Sequence, residues 1–303
     1  MTRPRRQRSE RDRRVALFFK LVAGVLVLAL VMGAAWWWSR LRSRPSTIVE
    51  LTDIVQGVSY SRLELRGNNQ GYWHVLYVDL EDPAVRVMVT PPDPASAMTH
   101  SGMPTSAFVE RFNMAAAVNA SFFVPFHSST PWDYYPKRGE PVRVIGSGIA
   151  DGERFSERKL DWPVFSIGPD RAWVRRDGAV DQARCAVAGY PMLIEGGQIV
   201  AEAGGTRGPR TVVGVNEDGS KLWLIVVDGR QGGYASGMTY RGLAEQMIGM
   251  GIHDALNLDG GGSSTMAARW GGRVQVLNAP YHTRIPMRER PVATHLGVYR
   301  DES

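Results

Sequence analysis

A single cysteine, Cys185, stands among the 303 residues, which excludes an intrachain disulfide framework. A nucleophilic role for its thiol needs a neighbouring base, and the residues around it supply none, so a buried structural thiol is expected. The six histidines are scattered, with no H-x-H, H-E-x-x-H or C-x-x-C spacing, and give no support for a transition-metal centre. Beyond residue 38 there is no second long apolar run, no repeat and no long low-complexity tract. A basic face is lacking as well. The formal charge of +6 is accounted for by Arg3, Arg5, Arg6, Arg8, Arg11, Arg13 and Arg14, and nucleic acid is not an expected partner.

What is present starts at the N-terminus. Residues 15–38 are apolar apart from Lys20, and roughly 20 helical residues suffice to cross a hydrocarbon core. Lys20 can reach the headgroups at one end, while Trp36, Trp37 and Trp38 form an aromatic belt at the other. The arginines before this run outnumber Arg40, Arg42 and Arg44 after it, so the positive-inside rule puts the N-terminus in the cytoplasm and the rest outside. A cleaved signal peptide has the same charge order. The length of the apolar run, and the tryptophans standing where small residues would precede cleavage, favour an uncleaved anchor. The expected organisation is a basic tail at 1–14, a transmembrane anchor at 15–38, a linker at 39–46 and one exterior domain at 47–303.

Within that domain, apolar runs at 73–78, 84–89, 115–118, 192–194, 211–215, 222–227 and 255–258 are short and bounded by Gly, Pro, Asn or Asp, as strands are. The turn with Asp218 and Gly219 predicts a hairpin between the 211 and 222 runs. Thr239 can cap a helix in which Leu243, Ala244, Met247 and Ile248 share a face and Gly251 makes a stop; a weaker helical pattern covers 105–112. The expected class is α+β: strand-rich and mixed, with few helices.

Three places carry candidate chemistry. The run 255–258 delivers Asp259 into Gly260, Gly261, Gly262, Ser263 and Ser264, where successive glycines permit backbone N–H groups to converge on an anion beside a carboxylate. A mobile glycine turn is an equally ordinary reading, and neither the Walker nor the dinucleotide spacing fits. The run 222–227 ends at Asp228, Gly229 and Arg230. Here an exposed ion pair competes with bidentate phosphate binding by Arg230, and Arg210 is a candidate for the same task. The run 115–118 ends at Asn119, an amide able to donate and accept toward a sugar or phosphate, or to serve as a plain turn residue. Asn119-Ala120-Ser121 also fits a glycosylation sequon, a match frequent by chance.

Taken in order, AAVNASFF, GYPMLIEGGQIV, RTVVGVNEDGSKLWLIVVDGR, SGMTYRGLAEQMIGMGIHDALNLDGGGSSTM and RERPVATHLGVY resemble the phosphodiester glycosidase family, which includes the lysosomal uncovering enzyme and bacterial exopolysaccharide-associated homologues. The resemblance spans most of the chain after about residue 60. It departs from the family pattern at Ala120 and Ser121, which replace glycines, and in the aromatic insert 124–138.

The resemblance implies a hydrolase that releases a sugar from a phosphodiester in an envelope or extracellular glycan. It assigns Asp259 or Asp228 to acid/base or nucleophilic work, with Glu289 as a further carboxylate and Arg290 as a further phosphate contact. Arg210, Arg230 and the Gly260, Gly261 and Gly262 amides would hold phosphate, while Asn119, Ser236 and Ser263 would orient the substrate. Phosphate is a stabilised leaving group and needs little general acid. No cofactor follows from these residues; a divalent cation such as calcium, held by clustered carboxylates, is an open alternative that chelator sensitivity would expose. The alternative from another class is a non-catalytic glycan-binding or exopolysaccharide-assembly protein on the same fold.

Overall fold

Side-chain alternation along the strand Lys221–Val227 sets the plan of the molecule. Leu222, Leu224 and Val226 enter one buried cluster while Trp223, Ile225 and Val227 enter another, as the two-residue period of a strand requires. A strand apolar on both faces has to be internal. In the computed structural model, which describes residues 10–65, 71–157, 161–169 and 171–301, it is the fourth of eight strands. Their order is Val49–Val55, Val58–Leu65, Gly71–Asp79, Lys221–Val227, Arg210–Val215, Asp254–Asn257, Met192–Glu195 and Gln198–Ile199. The ladders are antiparallel throughout this sheet.

One face of the sheet shares its core with two five-stranded sheets. The first has the order Arg273–Val276, Met266–Trp270, Ala116–Asn119, His295–Arg300, Val85–Val89; the second contains Cys185–Ala188 and Val164–Ile167 at its centre. The opposite face is covered by the helix Tyr240–Met247 through Leu243, Ala244 and Met247. Each fully buried Leu or Ile in these clusters contributes on the order of 1.5–3 kcal/mol. Cys185 is buried in the shared core, as expected.

All seven expected strands occur, and the 211 and 222 runs pair from Arg210↔Val227 to Val215↔Leu222. Thr239 caps its helix by accepting from Gly242 N at 3.1 Å, and the helix runs through a 3-10 turn to Gly251 at φ 82°. The second helix is Thr105–Arg111, with Phe108 and Val109 packed on the sheet that contains Ala117 and Ala267.

The chain divides into two compact units, up to Arg44 and from Pro45. The first contains the helix Glu10–Arg42, whose stretch Asp12–Arg42 is long and apolar enough to cross a membrane. Residues 39–42 form the last turn of this helix. Arginine is a good helix former, and Arg40 and Arg42 lie over the rings of Trp36 and Trp38 at 5.3 and 5.2 Å, one helical turn back.

Candidate active site

Three adjacent strands of the eight-stranded sheet reach the same edge. Arg210 opens one and is registered opposite Val227, which ends its neighbour and leads into Asp228 and Arg230. Asn257 ends the third, registered opposite Val212, and leads into Asp259 and the glycines. Arg210, Arg230 and Asp259 thereby border one cavity of about 650 Å³, together with Arg284, Arg290, Asn257, Tyr240, Phe122 and Phe126.

Among the described residues Asp259 is the single carboxylate on that wall, facing four guanidinium groups. Burial pushes its pKa up to about 6, against the opposing pull of Arg290, the Ser263 hydroxyl and the Gly260 amide. Ser263 Oγ donates to Asp259 Oδ2 at 2.5 Å and accepts from Arg290 Nη1 at 2.9 Å. Arg290 Nε in turn donates to His282 Nδ1 at 3.3 Å. His282 stays neutral, because burial and then Arg290 and Arg288 press its pKa down to about 3. This chain of contacts holds the guanidinium beside the carboxylate without direct pairing.

The glycine triplet has a steric purpose. A β-carbon at Gly262 would lie 2.5 Å from Arg290 Nη2, and one at Gly261 would lie 2.9 Å from Arg230 Nη1, with φ +63° at Gly261. The loop is a bare platform on which two arginines rest. As an amide cradle it is largely spent: Gly261 N donates to Pro209 O at 2.9 Å, and the Gly260 amide serves the Asp259 carboxylate. Arg230 holds φ 60° without being glycine, an outlier that costs on the order of 1–3 kcal/mol and persists only where neighbours enforce it. Arg210 is fixed by Nε to Met238 O at 3.1 Å, Nη2 to Thr206 O at 2.6 Å and the Tyr240 ring at 4.0 Å. Burial, with Arg230 nearby, lowers its pKa.

Several expected residues lie elsewhere. Asp228 is buried away from the cavity and accepts two donors on each oxygen: Asn278 Nδ2 at 3.1 Å and Ala279 N at 2.8 Å on Oδ1, Tyr234 OH and His74 Nε2, both at 3.1 Å, on Oδ2. His74 Nδ1 then meets Tyr60 OH at 2.9 Å, and burial raises that phenol to about 12. An acid so saturated holds loops together instead of reaching substrate. Glu289 is likewise off the wall, accepting from Ser106 N at 2.9 Å and Ser106 Oγ at 2.5 Å at the start of the helix Thr105–Arg111, and burial raises its pKa.

Asn119 is fully buried, so it can neither carry a glycan nor touch substrate. It donates to Asp259 O at 2.6 Å and accepts from Thr211 Oγ1 at 2.8 Å and Thr265 N at 3.1 Å, fixing the backbone on which Asp259 sits. Ser236 is exposed and is not on the cavity wall, and Ser263 acts through Asp259 and Arg290.

Asn257, Tyr240, Tyr281, Thr283 and Arg284, none of them singled out by the sequence as site residues, also border the cavity. Asn257 was legible as the residue two before the acid. Its Nδ2 donates to Tyr190 O at 2.7 Å and Leu258 O at 2.8 Å, which fixes the amide orientation and leaves Oδ1 buried with no partner. Among the described residues no group of three or more His, Cys, Asp or Glu side chains could hold a metal ion. A wall of four arginines and one carboxylate is a poor donor set for a hard cation such as calcium.

Residues 112–299 match the family described as phosphodiester glycosidase. No curated protein matches the chain. Among solved structures, the chain is similar to a hypothetical protein from Synechocystis, at TM-score 0.64 and 14% identity over 85% of this chain and 64% of that one. It is also similar to the zebrafish N-acetylglucosamine-1-phosphodiester alpha-N-acetylglucosaminidase catalytic domain, auto-inhibited by its pro-peptide, at TM-score 0.59 and 20% identity over 87% of this chain and 93% of that one. At such identities the likeness establishes the fold.

Proposed function

Because the chain belongs to the phosphodiester glycosidase family, we propose that it hydrolyses a glycosyl phosphodiester, releasing the sugar from its phosphate in the cavity beside Asp259. The observation that carries this reading is the pairing of one desolvated carboxylate with four arginines on a single wall. The phosphate lies against Arg210, Arg230 and Arg290, whose planar donors suit its oxygens and neutralise the charge that develops as the bond from the anomeric carbon to oxygen breaks. The leaving phosphate monoester therefore needs no proton from an acid. Asp259 works ionised, as the base that takes a proton from the attacking water or as the nucleophile at the anomeric carbon.

The helix Asp12–Arg42 acts as an uncleaved anchor, with the basic N-terminus in the cytoplasm and the glycosidase domain outside, where envelope glycans are the substrates. The test is turnover by the full chain in detergent on a panel of α- and β-glycosyl methyl phosphodiesters, followed by release of reducing sugar. The parent is expected to hydrolyse at least one, and Asp259→Asn to lose about 10²–10⁴-fold in kcat. A parent inert across the panel, or an unimpaired variant, would sink the reading and leave a glycan-binding protein in its place.

A further inference from the structure

Arg290 is held by two segments of the chain. One is the insert 124–138, where the sequence departs from the family pattern and where His127–Ser128 pairs with Tyr134–Tyr135. The other pairs Tyr281–His282 with Ile285–Pro286 through a loop of Thr283 and Arg284. Both loop residues have positive φ, 52° and 62°, as a type I′ turn requires, yet neither is the Asn, Asp or Gly that such a turn favours. A β-branched residue at φ 52° is an outlier that its neighbours have to enforce.

The enforcing residue is Arg288. Its Nη1 donates to Thr283 Oγ1 at 2.9 Å and to Pro131 O at 2.7 Å, and its guanidinium lies over the Tyr134 ring at 4.5 Å. One side chain thus joins the strained loop to the insert. Tyr134 in turn meets the imidazole of His282 at 4.9 Å and 84°, edge to face. Arg290 Nε can only donate, so His282 Nδ1 accepts and the ring proton is on Nε2. That nitrogen is buried and, among the described residues, has no hydrogen-bond partner. The seat of the imidazole therefore rests on packing, which Tyr134 supplies. From the same insert, Phe126 lies against the Arg290 guanidinium at 4.3 Å.

We propose that Tyr134 and Arg288, neither of which borders the cavity, are positioning residues that set the Arg290 guanidinium for a phosphate oxygen, so that the insert tunes the anion site from outside it. Without the Tyr134 ring the imidazole turns, Arg290 Nε loses its acceptor, and the guanidinium leaves its place beside Ser263 and Asp259. The inference rests on the glycosidase reading above for the identity of the anion.

Two readouts on the full chain in detergent test it: the affinity for inorganic phosphate by titration calorimetry, which needs no turnover, and kcat/KM on the best methyl diester of the panel. Tyr134→Ala is expected to weaken phosphate binding and to lower kcat/KM by about tenfold each, while Tyr134→Phe, which keeps the ring, stays within about twofold of the parent. In an Arg290→Lys chain, which keeps a charge so that binding remains measurable, Tyr134→Ala is expected to cost less than about twofold more, because a residue that acts through the guanidinium has nothing left to position. A loss as large in that chain as in the parent marks a merely structural role and overturns the proposal. So do phosphate binding unchanged by Tyr134→Ala, a Tyr134→Phe chain as weak as Tyr134→Ala, and a parent that binds no phosphate. A parent that binds phosphate in the expected pattern yet hydrolyses no diester leaves the positioning role standing and sinks the glycosidase reading alone.

Discussion

Asp228 and Asp259 look alike in the sequence, each an acid at the end of an apolar run followed by glycine, and the folded chain gives them opposite duties. The difference lies in partners that sequence does not display: His74 reaches Asp228 from 154 positions away, while Asp259 keeps an oxygen toward a cavity. The glycines beside Asp259 were readable as permissive backbone, but the arginines they make room for were not. Gly262→Ala should drive Arg290 off its seat and cut kcat/KM by about tenfold or more, with the melting temperature little changed, which steady-state kinetics and a thermal melt would check together.

The acidity of Asp259 gives a second prediction. Its folded pKa of about 6 lies above the ordinary 3.8, so the folded state holds the proton more tightly and stability from this group is greatest in acid, declining as pH rises from near 4 through 6. Asp259→Asn should therefore raise stability at pH 7.5, by no more than about 3 kcal/mol since the carboxyl is partly open to the cavity, and change it little at pH 4. Activity has the reverse dependence. A working carboxylate makes kcat/KM rise with pH and level off above about 6, and a profile falling across that range would contradict the ionised role.

Among the elements, what could be read was what period and caps encode: the two-residue alternation of the 222–227 run, the Thr239 cap, the turn at Asp218 and Gly219. Strand order could not, because pairing of the Ala116–Asn119 strand with His295–Arg300 is set by long-range packing and not by neighbours in the chain. Asn119 joins these layers to the turn that carries Asp259, so Asn119→Ala would strand the Asp259 carbonyl and the Thr265 amide in the interior. A loss of about 2–4 kcal/mol is expected by denaturant unfolding, with activity falling only as Asp259 shifts. Glu289→Gln gives the contrasting case. Weakening its contacts at Ser106 should cost about 1 kcal/mol of stability while kcat stays within twofold, since this acid is off the cavity wall.

At the scale of the whole molecule, the two units make separable claims. A chain beginning at Pro45 should leave the membrane fraction yet retain its fold, because the core clusters all lie beyond that residue; fractionation and circular dichroism would check both. The strand His295–Arg300 is inserted between Ala116–Asn119 and Val85–Val89, and it ties Thr90 to His295 across 205 positions. During biosynthesis the early strands must therefore wait, unpaired along that edge, until synthesis has passed Arg300. Their safekeeping in that interval falls to whatever holds the nascent polypeptide, and the cavity beside Asp259, whose backbone Asn119 braces from one of those waiting strands, cannot be assembled before then.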